Sequence, residues 1–171
     1  MLFRGSLVMK QLVTAVVVFC LYSWAGAQSP GIKVDVTLNP VGDFVAETSS
    51  LKGFVVKNGE VIEGKDLRVD LRTLKTKIKL RDEHAQKYLG VDKHPEAIVS
   101  IAKGKAGKGK AKLQLNGVEK VVEGSYKIVS DKFVEAEFAL KLSDFKIEGI
   151  SYKGIGVEDE VRVRAIVPIK N

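Results

Sequence analysis

From Ile32 onward the chain alternates between apolar and polar positions. Ile32, Val34, Val36 and Leu38 are apolar, with Lys33, Asp35 and Thr37 between them. The same two-residue period runs through Leu67–Leu71, Ala111–Leu115, Val134–Leu142 and Val161–Val167. Successive side chains of a strand point to opposite faces, so each stretch predicts a strand with one buried and one wet face, as in antiparallel sheets. Phe44–Lys57, Ala97–Lys103 and Lys120–Val129 are expected to be strands too, which makes about eight. Turn residues separate them: Asn58-Gly59, Asn116-Gly117, Ser130-Asp131 and the glycine-rich Lys103–Gly109. Pro168, which has no N–H to give a ladder, suits a strand end.

Arg81–Leu89 breaks the alternation. It is rich in helix formers, places Ala85 one turn before Leu89 and His84 one turn before Tyr88, and stops at Gly90. A short helix near residues 81–89 among eight antiparallel strands predicts an all-β barrel, because closure removes the edges that a long sheet would expose. An eight-stranded barrel has room inside for packed side chains or for one ligand. Small residues beside aromatics, such as Ala46 near Phe44 and Ala136 near Phe138, fit either interior.

Composition changes this picture at the N-terminus. Arg4 and Lys10 precede an apolar run from Leu12 to Trp24, and Ala25-Gly26-Ala27 matches the small-residue cleavage rule of an export signal. The run is shorter than the roughly 20 residues that span a bilayer. The expectation is a signal peptide over residues 1–27, a single domain over residues 28–171, and a periplasmic or secreted product. Residues 1–27 hold two of the 28 basic residues and none of the 21 acids, so the remainder carries a net charge of +5. They also hold Cys20, Trp24 and both methionines, Met1 and Met9, which leaves residues 28–171 without a thiol. A disulfide framework, a thiolate metal site and a cysteine nucleophile are thereby excluded. With two histidines in the whole chain, no multi-histidine metal centre is expected.

The remaining residues offer little to catalysis. His84 and His94 are the available imidazoles; neither has the spacing of a nucleophile or zinc motif, and no serine lies in a G-x-S-x-G elbow. Gly149–Gly156 has no strand-to-helix context for a phosphate loop and is expected to be a mobile connection. No enzyme activity and no cofactor are predicted. Lys103, Lys105, Lys108, Lys110 and Lys112 crowd one glycine-rich hairpin. It is either a solvated tip or a patch that meets anionic lipid headgroups. Without interleaved aromatics, it does not predict a nucleic-acid partner.

Thr76-x-x-x-Leu80-Arg81-Asp82-x-His84-x-x-x-Tyr88-Leu89, followed by His94-Pro95-Glu96-Ala97, resembles the signature of the YceI-like family, a lipocalin-like, polyisoprenoid-binding group of periplasmic or secreted proteins. Three later segments resemble it as well: Leu113-x-Leu115-Asn116-Gly117-Val118, Leu142-Ser143-Asp144-Phe145-Lys146-Ile147 and Val157-x-Asp159-x-Val161. The match spans about Val41 to Ile169. It departs where Ser143 replaces a frequent Arg, where Glu119 replaces a Thr, and where the first strand lacks a His-Ser pair.

The resemblance implies an eight-stranded lipocalin-like barrel whose cavity holds a long isoprenoid or a similar amphiphilic lipid, and by analogy a homodimer. On that basis His84 and Tyr88, on the helix, are expected to orient a headgroup at the mouth. Phe44, Phe54, Val134, Phe138, Phe145 and Tyr152 are expected to line the wall, chosen by face and size, with Tyr126 a further candidate. The lysine hairpin would hold the mouth near an anionic membrane. The competing expectation is a filled-core barrel acting as an exported stress-response or protein-interaction module through its basic surface.

Overall fold

A computed structural model describes residues 28–170. The export signal expected over residues 1–27 lies outside the described residues. The described chain forms β1 (Gly31–Asn39), β2 (Asp43–Thr48), β3 (Val55–Asn58), β4 (Val61–Asp70), α1 (Lys79–Tyr88), β5 (Glu96–Lys105) and β6 (Lys108–Leu115). It continues through β7 (Val118–Ser130), β8 (Phe133–Lys141), β9 (Ser151–Tyr152), β10 (Ile155–Val157) and β11 (Glu160–Lys170).

Antiparallel neighbours run in the order β3-β4-β5-β6-β7-β8-β11, and a short parallel pairing of Ile169 with Val55 returns β11 to β3. The ring therefore closes with seven strands, and the expected barrel is present. The other four strands lie beside the ring. β1 pairs with β11 over Gly31–Asp35, β2 pairs with β1, and the β9–β10 hairpin pairs with the end of β1 at Leu38 and Asn39.

The strand count differs from eight for physical reasons. Phe44–Lys57 is not one strand but two, β2 and β3. Between them Ser50 N–H and Ser50 Oγ meet Thr48 Oγ1 in a tight turn. β4 begins at Val61 rather than Leu67, because Asp66 takes a left-handed conformation (φ 53°) and shifts the inward face. Ile62 and Gly64 are buried before that point, and Leu67 after it. An irregularity in β5 between Val99 and Ile101 lies opposite, so the two strands stay paired. Gly149–Gly156, expected as a mobile connection, holds β9 and all but the last residue of β10.

Two packed clusters mark the two ends of the barrel. Val55, Ile62, Leu67, Val134, Ala165 and Val167 fill the end that carries the β5–β6 hairpin. Leu71, Val91, Leu115, Leu142, Phe145 and Ile147 belong to the cluster at the other end. There the residues of the resemblance converge. Asn116 Nδ2 donates to the Phe145 carbonyl at 3.1 Å, and Ser143 Oγ donates to Asp159 Oδ2 at 2.7 Å. A Cβ on Gly117 would stand 2.7 Å from the His94 ring, and one on Gly90 2.5 Å from Asn116 Oδ1. These positions hold the barrel end together.

Candidate functional site

The helix reaches the barrel wall through a strap, residues 71–78, that is tied down on both sides. Leu71 N–H donates to Pro95, and Glu47 of β2 and Lys75 exchange backbone hydrogen bonds. Thr76 is buried, and its amide and hydroxyl both donate to Asp82 Oδ1, each at 2.7 Å. Lys75 Nζ lies 3.6 Å from Asp82 Oδ2. Burial alone raises the pKa of Asp82. The Thr76 hydrogen bonds and the Lys75 charge outweigh that effect and hold the carboxyl below its ordinary value of 3.8. Asp82 thus fixes the first turn of α1 on the strap, and the apolar side of the helix faces the interior.

Between α1, the β1–β2 hairpin and the barrel wall lies a cavity of about 430 Å³. Its depth is built from strand residues such as Val34, Ala46, Val99, Phe138, Leu140 and Val163. Its mouth is formed by Ile78, Leu80, Arg81 and His84 of the helix region and by Ser151, Tyr152 and Ile155 of the β9–β10 hairpin. The interior is therefore not wholly filled by side chains. Thr76, Arg81, His84, Tyr88, Ser151 and Tyr152 are the polar-bearing residues of an otherwise aliphatic and aromatic lining. The Thr76 hydroxyl is already committed to Asp82 and to the Ile78 carbonyl.

Two contacts organise the mouth. The Arg81 guanidinium carbon stands 4.2 Å from the centroid of the Phe44 ring, a cation–π geometry that joins α1 to β2. The His84 and Tyr152 rings meet edge to face at 5.0 Å, joining α1 to the β9–β10 hairpin. Among the described residues no carboxylate pairs with Arg81, so its charge is left for a ligand or for water.

Of the residues expected from sequence, Phe44, His84, Tyr88, Phe138 and Tyr152 share this cavity. Phe54, Val134 and Phe145 do not. Phe54 is exposed outside the barrel with Lys170 Nζ 4.9 Å from its ring. Val134 is packed in the cluster at the hairpin end. Phe145 is 1 % exposed and plugs the other end, held there by the turn that Asp159 caps. Sequence reasoning missed Arg81 and the strap residues Leu74 and Ile78. Arg81 stood next to Asp82 and His84 in the quoted motif. A signal for the strap was present: Leu74, Thr76, Ile78 and Leu80 alternate with Lys75, Lys77, Lys79 and Arg81, and those four uncharged residues line the cavity.

The lysine hairpin occupies the opposite end of the barrel from the mouth. β5 runs from Glu96, paired with Asp70 just before the strap, to Lys105 at the hairpin, about 30 Å away at roughly 3.3 Å per residue. Four of its lysines are paired along the strands: Lys103 with Glu63, Lys105 with Glu60, Lys110 with Glu123 and Lys112 with Glu119.

A family model described as "YceI-like domain" matches residues 32–167. The fold is similar to that of a polyisoprenoid binding domain from Saccharophagus degradans implicated in plant cell wall breakdown, with a TM-score of 0.58 and 14 % identity over 81 % of this chain and 91 % of that one. It is likewise similar to Burkholderia cenocepacia BcnA, with a TM-score of 0.61 and 12 % identity over 81 % of this chain and 96 % of that one. No curated protein matches the sequence.

Proposed function

The chain belongs to the YceI-like domain family, and from that premise we propose that it carries one polyisoprenoid, or a lipid of similar length and apolarity, in the barrel cavity. The observation that carries this reading is the cavity itself: about 430 Å³, apolar in its depth, with Arg81, His84 and Tyr88 as polar or charged groups in its lining. Each CH₂ moved from water into such a lining gains about 0.8 kcal/mol, so the depth rewards chain length. The lining polar groups orient a headgroup, with Arg81 suited to an anionic one. The solved polyisoprenoid binding domain with this fold supports the ligand class.

The reading is non-enzymatic. The Thr76 hydroxyl is taken up by Asp82, and Arg81 and His84, which rest on the rings of Phe44 and Tyr152, keep their N–H groups for a headgroup. The basic, apolar prefix over residues 1–27 supports export, which places the carrier in the periplasm or outside the cell.

Native mass spectrometry of protein purified from a bacterial periplasm, with lipid extraction of the same sample, tests the reading. A stoichiometric added mass that extracts as an isoprenoid or a comparable lipid is expected. A bare mass that stays bare after incubation with polyprenols, quinones and fatty acids would overturn it. Ala46→Phe, which puts a ring into the cavity depth, should fold and lose the added mass.

A further inference from the structure

Four residues of the cavity lining are also exposed at its mouth. Ile78, Leu80, Tyr152 and Ile155 are each 45 to 50 % exposed. Large apolar side chains gathered in one exposed place mark an interaction surface, because leaving them in water forgoes hydrophobic burial. They come from two segments far apart in sequence, the strap leading into α1 and the β9–β10 hairpin. The contact between His84 and Tyr152 brings these segments together.

Cations surround them. Lys75-Thr76-Lys77-Ile78-Lys79-Leu80-Arg81 alternates a positive charge with an uncharged residue. Lys153 follows Tyr152, with its Nζ 5.4 Å from that ring. Lys75 is paired with Asp82, but Lys77, Lys79 and Lys153 have no carboxylate partner among the described residues. All three are exposed, and Glu83 is the one exposed acid between Lys75 and His84. The lysine hairpin is the reverse case, since four of its five lysines sit against glutamates that cancel their charge. Unpaired positive charge therefore stands at the cavity mouth, beside exposed apolar tips.

Apolar tips ringed by free lysines match the boundary of an anionic bilayer, where acyl chains meet phosphate headgroups. We propose that the cavity mouth is a membrane-docking face, with Ile78, Leu80, Tyr152 and Ile155 entering the interface and Lys77, Lys79 and Lys153 meeting anionic lipid headgroups. No helix among the described residues is long and apolar enough to cross a membrane. A lipid chain could then pass between bilayer and cavity without crossing water. That use of the face rests on the carrier reading, whereas the docking itself rests on the surface alone.

Vesicle flotation tests the proposal, using phosphatidylcholine vesicles with and without phosphatidylglycerol at low and high ionic strength. The protein should bind the anionic vesicles and be released by salt. A K77Q/K79Q/K153Q variant, which changes exposed lysines outside the cavity lining, should bind on the order of a hundredfold more weakly, near fivefold for each lysine. A K105Q/K108Q/K110Q variant should bind as the unchanged protein does. Circular dichroism should show both variants folded. No binding to anionic vesicles at low salt, equal loss in both variants, or loss in the hairpin variant alone would overturn the proposal. So would a dimer in sedimentation that excludes vesicles and is broken by Ile78→Glu, which assigns the face to a second copy. Lipid extraction from the same proteins separates the two readings. Retained lipid with lost vesicle binding leaves the carrier standing, and empty protein that still binds vesicles leaves the docking face standing.

Discussion

Asp82 shows how one side chain serves the cavity without touching a ligand. Its carboxylate takes both donors of buried Thr76 and so anchors α1 over the barrel. Asp82→Ala would leave the buried Thr76 amide unpaired and its hydroxyl with the Ile78 carbonyl alone, at a cost of about 1–3 kcal/mol, read by urea unfolding at neutral pH. The dependence on pH has a definite sign. The folded-state pKa lies below the ordinary 3.8, so the stabilisation is full above that value and is lost as pH falls through the folded-state value. The gap in stability between the two proteins should therefore narrow in acid, and a gap unchanged with pH would refute this role. Asp82 and His84 were both visible in the motif, but their different work was not. A sequence places them two residues apart, whereas only the fold turns Asp82 under the strap and His84 into the mouth.

At the scale of elements, the hairpin end of the barrel depends on a missing side chain. Tyr126 of β7 lies against Gly104 of β5, where a Cβ would stand 2.5 Å from its ring. Backbone and ring cannot both stay in place if that space is filled. Gly104→Val should cost about 1–3 kcal/mol by overpacking, measured as a lowered urea midpoint with an unchanged slope. The strands around it were legible because alternation survives wherever one face is buried. The start of β4 was not, since the left-handed turn at Asp66 exchanges the two faces midway. The two-residue β9 and three-residue β10 were illegible for another reason. They are too short to carry a period; β10 is a strand because β1 offers it an edge, and β9 because it folds back on β10.

The whole molecule is a barrel with both ends packed and an apolar cavity opening beside a helix. If the cavity carries a lipid, the bound form should be more stable than the stripped one. A ligand present at a hundred times its dissociation constant adds about 2.7 kcal/mol. For a chain of this size that corresponds to about 5–10 °C in Tm, at roughly 2–4 °C per kcal/mol. Calorimetry before and after delipidation should show that fall, and coincident melting curves would count against a resident ligand. By itself the sequence determined the antiparallel barrel, the single helix and the aromatic residues available to a cavity. Those follow from local periodicity and side-chain chemistry, which a linear chain displays. Only the tertiary structure decided that Phe44, Phe138 and Tyr152 line the cavity while Phe145 plugs an end and Phe54 faces solvent. It likewise decided which lysines are free. Net charge counts Lys77 and Lys105 alike, but a glutamate partner across a strand, or its absence, is a matter of register that forms only on closure.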